Sequence, residues 1–254
     1  MRQKLGRGAG LIIRALSAFL VLVLADPTIA QHNPVYSGNR PQTQWHSKPD
    51  AVRIASALQQ GGTVVFFRHA TTDMLATDQR PLTDLNDCSK QRNLSPSGIA
   101  ISKEIGEAIR QLGIPIGDVF VNPYCRCMDT ARYAFGRATA RPDLYVRRTE
   151  QGWTPDEANE QLINLVATPP PAGVNTVLVG QIFNVQRTLG LTPTEGEAIV
   201  FKPDGVGGYQ LVGQLTATQW GDLVRDLVIL KLDPKQLGDQ LPVPHDQSPA
   251  HRRG

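Results

Sequence analysis

Four large apolar residues in succession, Val64, Val65, Phe66 and Phe67, stand in "TVVFFRH" with no polar position among them. So short a run with no wet face predicts a β-strand covered on both sides, as in a parallel α/β sheet. Upstream, "DAVRIASALQQGG" sets Val52, Ile54, Ala55 and Leu58 at helical spacing and stops at Gly61 and Gly62, a C-cap signal, so a helix precedes the strand. After a polar loop over 70–93, "LSPSGIAISKEIGEAIRQLGIP" opens with Ser95 as N-cap and Pro96 at the first helical position. It carries Ile99, Ile105, Ala108, Ile109 and Leu112 on one face and ends at Gly113. "GDVFVNPYCRCMDTARYAFG" then reads as a strand over 119–121, a loop over 122–126 and a helix over 128–135. "GVNTVLVGQIFNVQRTLG" repeats the pattern, with a strand over 176–179, a glycine and a helix. The last apolar stretch alternates through Ile199 and Phe201, turns at "PDGVGG" and returns through Tyr209 and Leu211, which predicts a β-hairpin before a final helix. Three strand-to-helix units, each strand ending in polar residues, predict an α/β three-layer sandwich. Its central sheet is mostly parallel, helices cover both faces, and the site lies at the carboxyl ends of the strands.

The N-terminus departs from this pattern. Arg2, Lys4, Arg7 and Arg14 precede an apolar run over 15–25, and Thr28-Ile29-Ala30 follows, which predicts a secretory signal peptide over 1–30 cleaved after Ala30. The expected location is therefore periplasmic or secreted, with no stable membrane insertion after cleavage. The leader holds four of the 26 Lys and Arg and one of the 23 Asp and Glu, leaving 22 of each in the mature chain. A neutral chain lacks the basic footprint of a nucleic-acid binder, so no nucleic-acid partner is expected. The polar, Pro- and Gln-rich stretches at 31–49 and 234–254 are expected to be an extended segment and a disordered tail around one domain over 50–233. Three cysteines, Cys88, Cys125 and Cys127, imply one disulfide and one free thiol in an exported protein. Without a CxxC pair or a nearby histidine cluster they do not form a zinc ribbon. Cys125 and Cys127 flank a single residue, and the expected bridge is Cys88 with Cys125.

Arg68 and His69 end the buried strand, and Arg126 lies in the loop after the second strand. A lone histidine at a strand end is more often structural. Two guanidiniums converging on one imidazole, however, offer forked donors matched to a phosphate dianion, with a nitrogen between them able to attack phosphorus.

At these residues the chain resembles the histidine phosphatase superfamily, also called phosphoglycerate mutase-like, and its small exported bacterial members most of all. "FFRHATT" is similar to the family's RHG signature, with Ala70 in place of glycine and Thr72 at the usual threonine. "RNLSPSGIAISKEIGEAIRQLG" and "VFVNPYCRCMDTARYAFG" resemble its following helix and its arginine-bearing segment, and the likeness extends from about Asp50 to Leu230. The resemblance implies that His69 is a nucleophile forming a phosphohistidine and that Arg68 and Arg126 bind the phosphoryl oxygens. It implies that Thr72 and Asn184 line the pocket, and Arg92 is a further candidate substrate contact. It implies no cofactor and no metal. The family's second histidine follows a strand in a "VxVxGHxxN" pattern, but this chain reads "VLVGQIFN", with Gln181 at that place and Gly180 and Asn184 still in register. For the general acid the expectation is Glu197, with Glu195 second. A Cys88–Cys125 bridge would fix the pocket rim beside Arg126. The expected function is an exported phosphomonoesterase acting on a small phosphorylated molecule, slowed by Gln181. The alternative is a disarmed pseudophosphatase that binds a phospho-ligand or inorganic phosphate without turnover.

Overall fold

The structure, a computed structural model, describes residues 48–145, 148–149, 152–153 and 155–232. The leader expected over 1–30 and the tail over 234–254 lie outside the described residues, as does the 31–49 segment up to residue 47. Helix α1 (Lys48–Gln60) leads into β1 (Val64–Arg68), then α2 (Pro96–Gln111), β2 (Ile116–Val121) and α3 (Cys125–Phe135). Short strands β3 (Thr139–Ala140), β4 (Arg148–Thr149) and β5 (Gly152–Trp153) precede α4 (Pro155–Ala167), β6 (Asn175–Gly180) and α5 (Ile182–Leu189). The hairpin β7 (Ala198–Pro203) and β8 (Tyr209–Leu215) and helix α6 (Ala217–Leu232) close the order. No helix among the described residues is long and apolar enough to cross a membrane.

The expected three-layer α/β sandwich is the architecture found. Six strands pair in the order β3-β2-β6-β1-β7-β8, with β1, β2, β3 and β6 parallel and β7 and β8 antiparallel to their neighbours. β1 is buried on both faces because its side chains alternate between two cores. Val65 and Phe67 pack with residues of α1, α2, α3 and α6, while Val64 and Phe66 pack with residues of α4 and α5. The Phe67 ring stacks on Trp220 at 5.9 Å and meets Phe135 edge-on at 5.6 Å. Burying each such side chain contributes about 1.5–3 kcal/mol, enough to hold the strand end rigid.

Two boundaries and one helix face differ from the expectation. Helix α3 starts at Cys125, so Arg126 is on its first turn rather than in a loop. β2 begins at Ile116, extended by a stretch whose pairing is irregular before Val119. On α1 the inward face is Ala51, Ile54, Ala55 and Leu58, and Val52 is exposed.

The connections create the crevice. β1 and β2 are followed by α2 and α3 on one face, whereas β6, lying between them, is followed by α5 on the other. The chain therefore parts at the carboxyl end of β6, where ligands bind in open α/β sheets. One close approach fixes the crevice wall. Ser95 caps α2 by accepting from Gly98 N at 3.1 Å, and the hydroxyl donates to the Thr71 carbonyl at 3.2 Å. A Cβ at Gly98 would collide with that same Thr71 carbonyl oxygen. Gly98→Ala is expected to cost about 1–3 kcal/mol by overpacking, read as a lowered midpoint in chemical denaturation.

Candidate active site

Register brings the site together. Arg68 pairs with Gly180 across the parallel β1–β6 ladder, and His69 N donates to the Gly180 carbonyl at 3.0 Å. His69 and Gln181, one residue beyond each strand, consequently leave the sheet side by side. A cleft of about 820 Å³ opens above them, with Arg68, His69, Arg92, Arg126, Gln181 and Asn184 among its lining residues. Residues 76–83 form its outer wall.

His69 is 1% exposed, and its Nδ1 lies 2.8 Å from the Ala70 carbonyl, which places the proton on Nδ1 and leaves Nε2 bare. Ala70 N donates in turn to the Thr130 hydroxyl on α3 at 3.0 Å. Burial, and then the charges of Arg126, Arg68 and Arg92, push the imidazole down to about 3, against the pull of the Ala70 bond. The ring is neutral, as a nucleophile must be. Burial pushes the Cys127 thiol up to about 12, so this free, buried cysteine stays protonated and is no rival nucleophile.

Gln181 spans the two groups that matter. Its amide orientation follows from its neighbours: with the nitrogen toward His69 it donates to Nε2 at 3.2 Å, and its oxygen accepts from Arg126 Nε and Nη2, both at 3.0 Å. The opposite orientation would set oxygen against the bare Nε2 and nitrogen against two donors. Arg126 Nη1 is taken by Asp78 Oδ1 at 3.0 Å and by the Arg92 carbonyl at 3.3 Å, and its guanidinium lies 4.2 Å from the Tyr124 ring centroid. Every nitrogen of this arginine thus has a protein acceptor.

Arg68 is likewise engaged, donating to the Pro193 carbonyl at 2.9 Å and facing Glu195 at 3.5 Å, although its buried Nε has no partner among the described residues. Arg92 lines the cleft, and its buried Nε also has no partner among the described residues. Asn184 lines the cleft too, but it is a brace: its Oδ1 accepts from Gln181 N at 2.8 Å and its Nδ2 donates to the Leu144 carbonyl at 2.9 Å.

Three expected site residues do not reach the cleft. Thr72 is 2% exposed and its hydroxyl donates to Glu195 at 3.1 Å, because the chain turns there to pair with Leu94. Glu195 faces Thr72 and Arg68, and so serves as the arginine's counter-charge. Glu197 is 3% exposed with Oε2 accepting from the Thr194 amide and hydroxyl, both at 2.8 Å, which ties off the turn before β7.

The expected disulfide is present between Cys88 and Cys125, joining the outer-wall loop to the first residue of α3. Gln91 strengthens this seam, its side-chain oxygen accepting from Cys125 N at 2.9 Å. Residues missed in the sequence include Asp78, Tyr124 and Tyr145, all on the cleft wall. Asp78 is one of four loop aspartates, with Asp73, Asp84 and Asp87, and no local pattern sets it apart. Among the described residues no group of three His, Cys, Asp or Glu is arranged to hold a metal ion.

No known family model and no curated protein matches the chain. Among solved structures it is similar to the protein histidine phosphatase SixA complexed with tungstate, at 18% identity over 61% of this chain and 97% of that one, TM-score 0.44. It is similar to a phosphoserine phosphatase from Entamoeba histolytica in complex with 3-phosphoglyceric acid, at 12% identity over 62% and 98%, TM-score 0.45. A mycobacterial glucosyl-3-phosphoglycerate phosphatase in complex with inorganic phosphate matches at 13% identity over 62% and 99%, TM-score 0.46.

Proposed function

We propose that the protein is an exported phosphomonoesterase of the histidine phosphatase type, in which His69 Nε2 accepts the phosphoryl group and Gln181 holds turnover low. The observation that carries this reading is the neutral, buried imidazole in the cleft wall beside Arg68, Arg92 and Arg126, its unprotonated Nε2 covered only by the Gln181 amide. Arg126 presents its Nε and Nη2 to a shared acceptor, the forked arrangement that suits two phosphoryl oxygens. In the reaction the ester displaces the Gln181 amide, His69 Nε2 attacks phosphorus as the ester oxygen leaves with the phosphorus–oxygen bonding pair to become the alcohol, and the arginines balance the charge on the transferring group. Water then releases phosphate from the phosphohistidine. Export is supported by the leader pattern and by a disulfide of the kind that persists in oxidising compartments.

A second reading, a phospho-ligand binder without turnover, is favoured by one observation: Gln181 ties up both the attacking nitrogen and the phosphate-facing edge of Arg126. Trapping separates the two. Protein mixed with aryl phosphate labelled in its phosphoryl group and quenched in base should carry base-stable, acid-labile label on His69, and His69→Ala protein should carry none. No label, alongside measurable competition between the same ester and inorganic phosphate for binding, would select the binder.

A further inference from the structure

We propose that Asp78 is the general acid that protonates the leaving group and then takes a proton from the attacking water. The proposal rests on the reading of His69 as phosphoryl acceptor. Asp78 is the only carboxylate among the described residues lining the cleft. The two glutamates expected from the sequence are committed elsewhere, Glu195 to Thr72 and Arg68, Glu197 to Thr194. Two other proton donors fit less well: burial raises the Tyr124 hydroxyl to about 12, and the Cys127 thiol, also raised to about 12, is not among the residues lining the cleft.

Position favours Asp78 as well. Its Oδ1 is pinned by Arg126 Nη1 at 3.0 Å and by Arg92 N at 2.8 Å, while Oδ2 has no partner among the described residues. Gln181 occupies Arg126 Nε and Nη2, the edge shared with His69, and Asp78 holds the remaining nitrogen. One guanidinium therefore presents the acceptor position that a phosphoryl group would take and a carboxylate beside it. Asp78 belongs to the outer wall, the side from which the ester's organic group must project if attack comes from His69 below.

The proton count closes. A phosphate monoester, with a second pKa of about 6, can enter singly protonated and pass that proton to Asp78 Oδ2. The bond from His69 Nε2 to phosphorus forms, the ester oxygen departs with the phosphorus–oxygen bonding pair, and Asp78 gives it the proton. Water then attacks the phosphohistidine, one of its protons goes to Asp78, and the phosphorus–nitrogen pair returns to Nε2, leaving phosphate and the acid form of Asp78. Throughout, Nδ1–H stays on the Ala70 carbonyl.

The test is leaving-group dependence, measured on Gln181→His protein with and without Asp78→Asn. General acid catalysis typically contributes about 10²- to 10⁴-fold, so an alkyl phosphate should lose about that much, while dinitrophenyl phosphate, whose leaving group needs no proton, should lose little. Asp78→Glu should restore most of the difference. A role limited to holding Arg126 would slow both esters equally, and that result overturns the proposal. Failure of the Gln181→His protein to hydrolyse any ester would remove the reading beneath it, and the proposal with it.

Discussion

Gln181→His protein is expected to hydrolyse aryl phosphates about 10²- to 10³-fold faster than the parent, the range set by removal of one transition-state donor elsewhere. Two effects of glutamine act together. An amide can donate to a phosphoryl oxygen but brings no positive charge to the transition state. In the resting protein it also donates to His69 Nε2 and accepts from Arg126, so each encounter must break three hydrogen bonds before chemistry begins. Histidine at this position lacks an amide oxygen to hold Arg126 Nε and Nη2. His69→Ala in the same background should return phosphate release to that of buffer. A Gln181→His protein no faster than the parent would show that glutamine is not what limits the site.

The second large effect is on acid stability. His69 titrates near 6.5 in an unfolded chain and at about 3 in the folded one. Between those values the unfolded state binds one proton that the native state refuses, so His69 favours unfolding progressively as the pH falls. The native state is unpenalised above 6.5, loses about 1.4 kcal/mol per pH unit below it, and loses nothing further once the pH is under about 3. The sum is on the order of 4–5 kcal/mol, a large share of a typical domain's stability. His69→Gln protein should therefore show a shallower decline between pH 6 and about 4 in denaturant titrations. Parallel slopes for the two proteins would mean that the buried imidazole takes up a proton in the folded state after all.

Elements with a local cause could be read in the chain. The strand at Val64 is encoded by an unbroken apolar run, α2 by Ser95 and Pro96, and the β7–β8 hairpin by its glycine-rich turn. His69 and Arg126 were legible because strand ends converge in a parallel sheet, Gln181 because the resemblance places a histidine at its position, and Cys88–Cys125 because three thiols leave few pairings. What escaped depends on contacts distant in sequence. Thr72 and Glu195 are 123 residues apart, and each satisfies the other. Glu197 looks like a free carboxylate in the chain, yet the turn before it supplies two donors. Asp78 owes its place to Arg126, 48 residues on, and nothing beside it in the sequence records that. The two-residue strands β3, β4 and β5 are too short for any period to show.

Arg126 has a broader consequence, because none of its nitrogens is vacant before a ligand arrives. Ligand entry is then a substitution reaction, amide oxygen out and phosphoryl oxygen in, with little change in the tally of contacts. What separates the two sides is the ionic character of the newcomer. A neutral mimic with the same shape would gain nothing over Gln181, whereas an anion gains the attraction of Arg68, Arg92 and Arg126, of which Glu195 and Asp78 already balance part. Such a pocket discriminates by charge first and by outline second, and tolerates varied organic groups on any ester that carries the right charge.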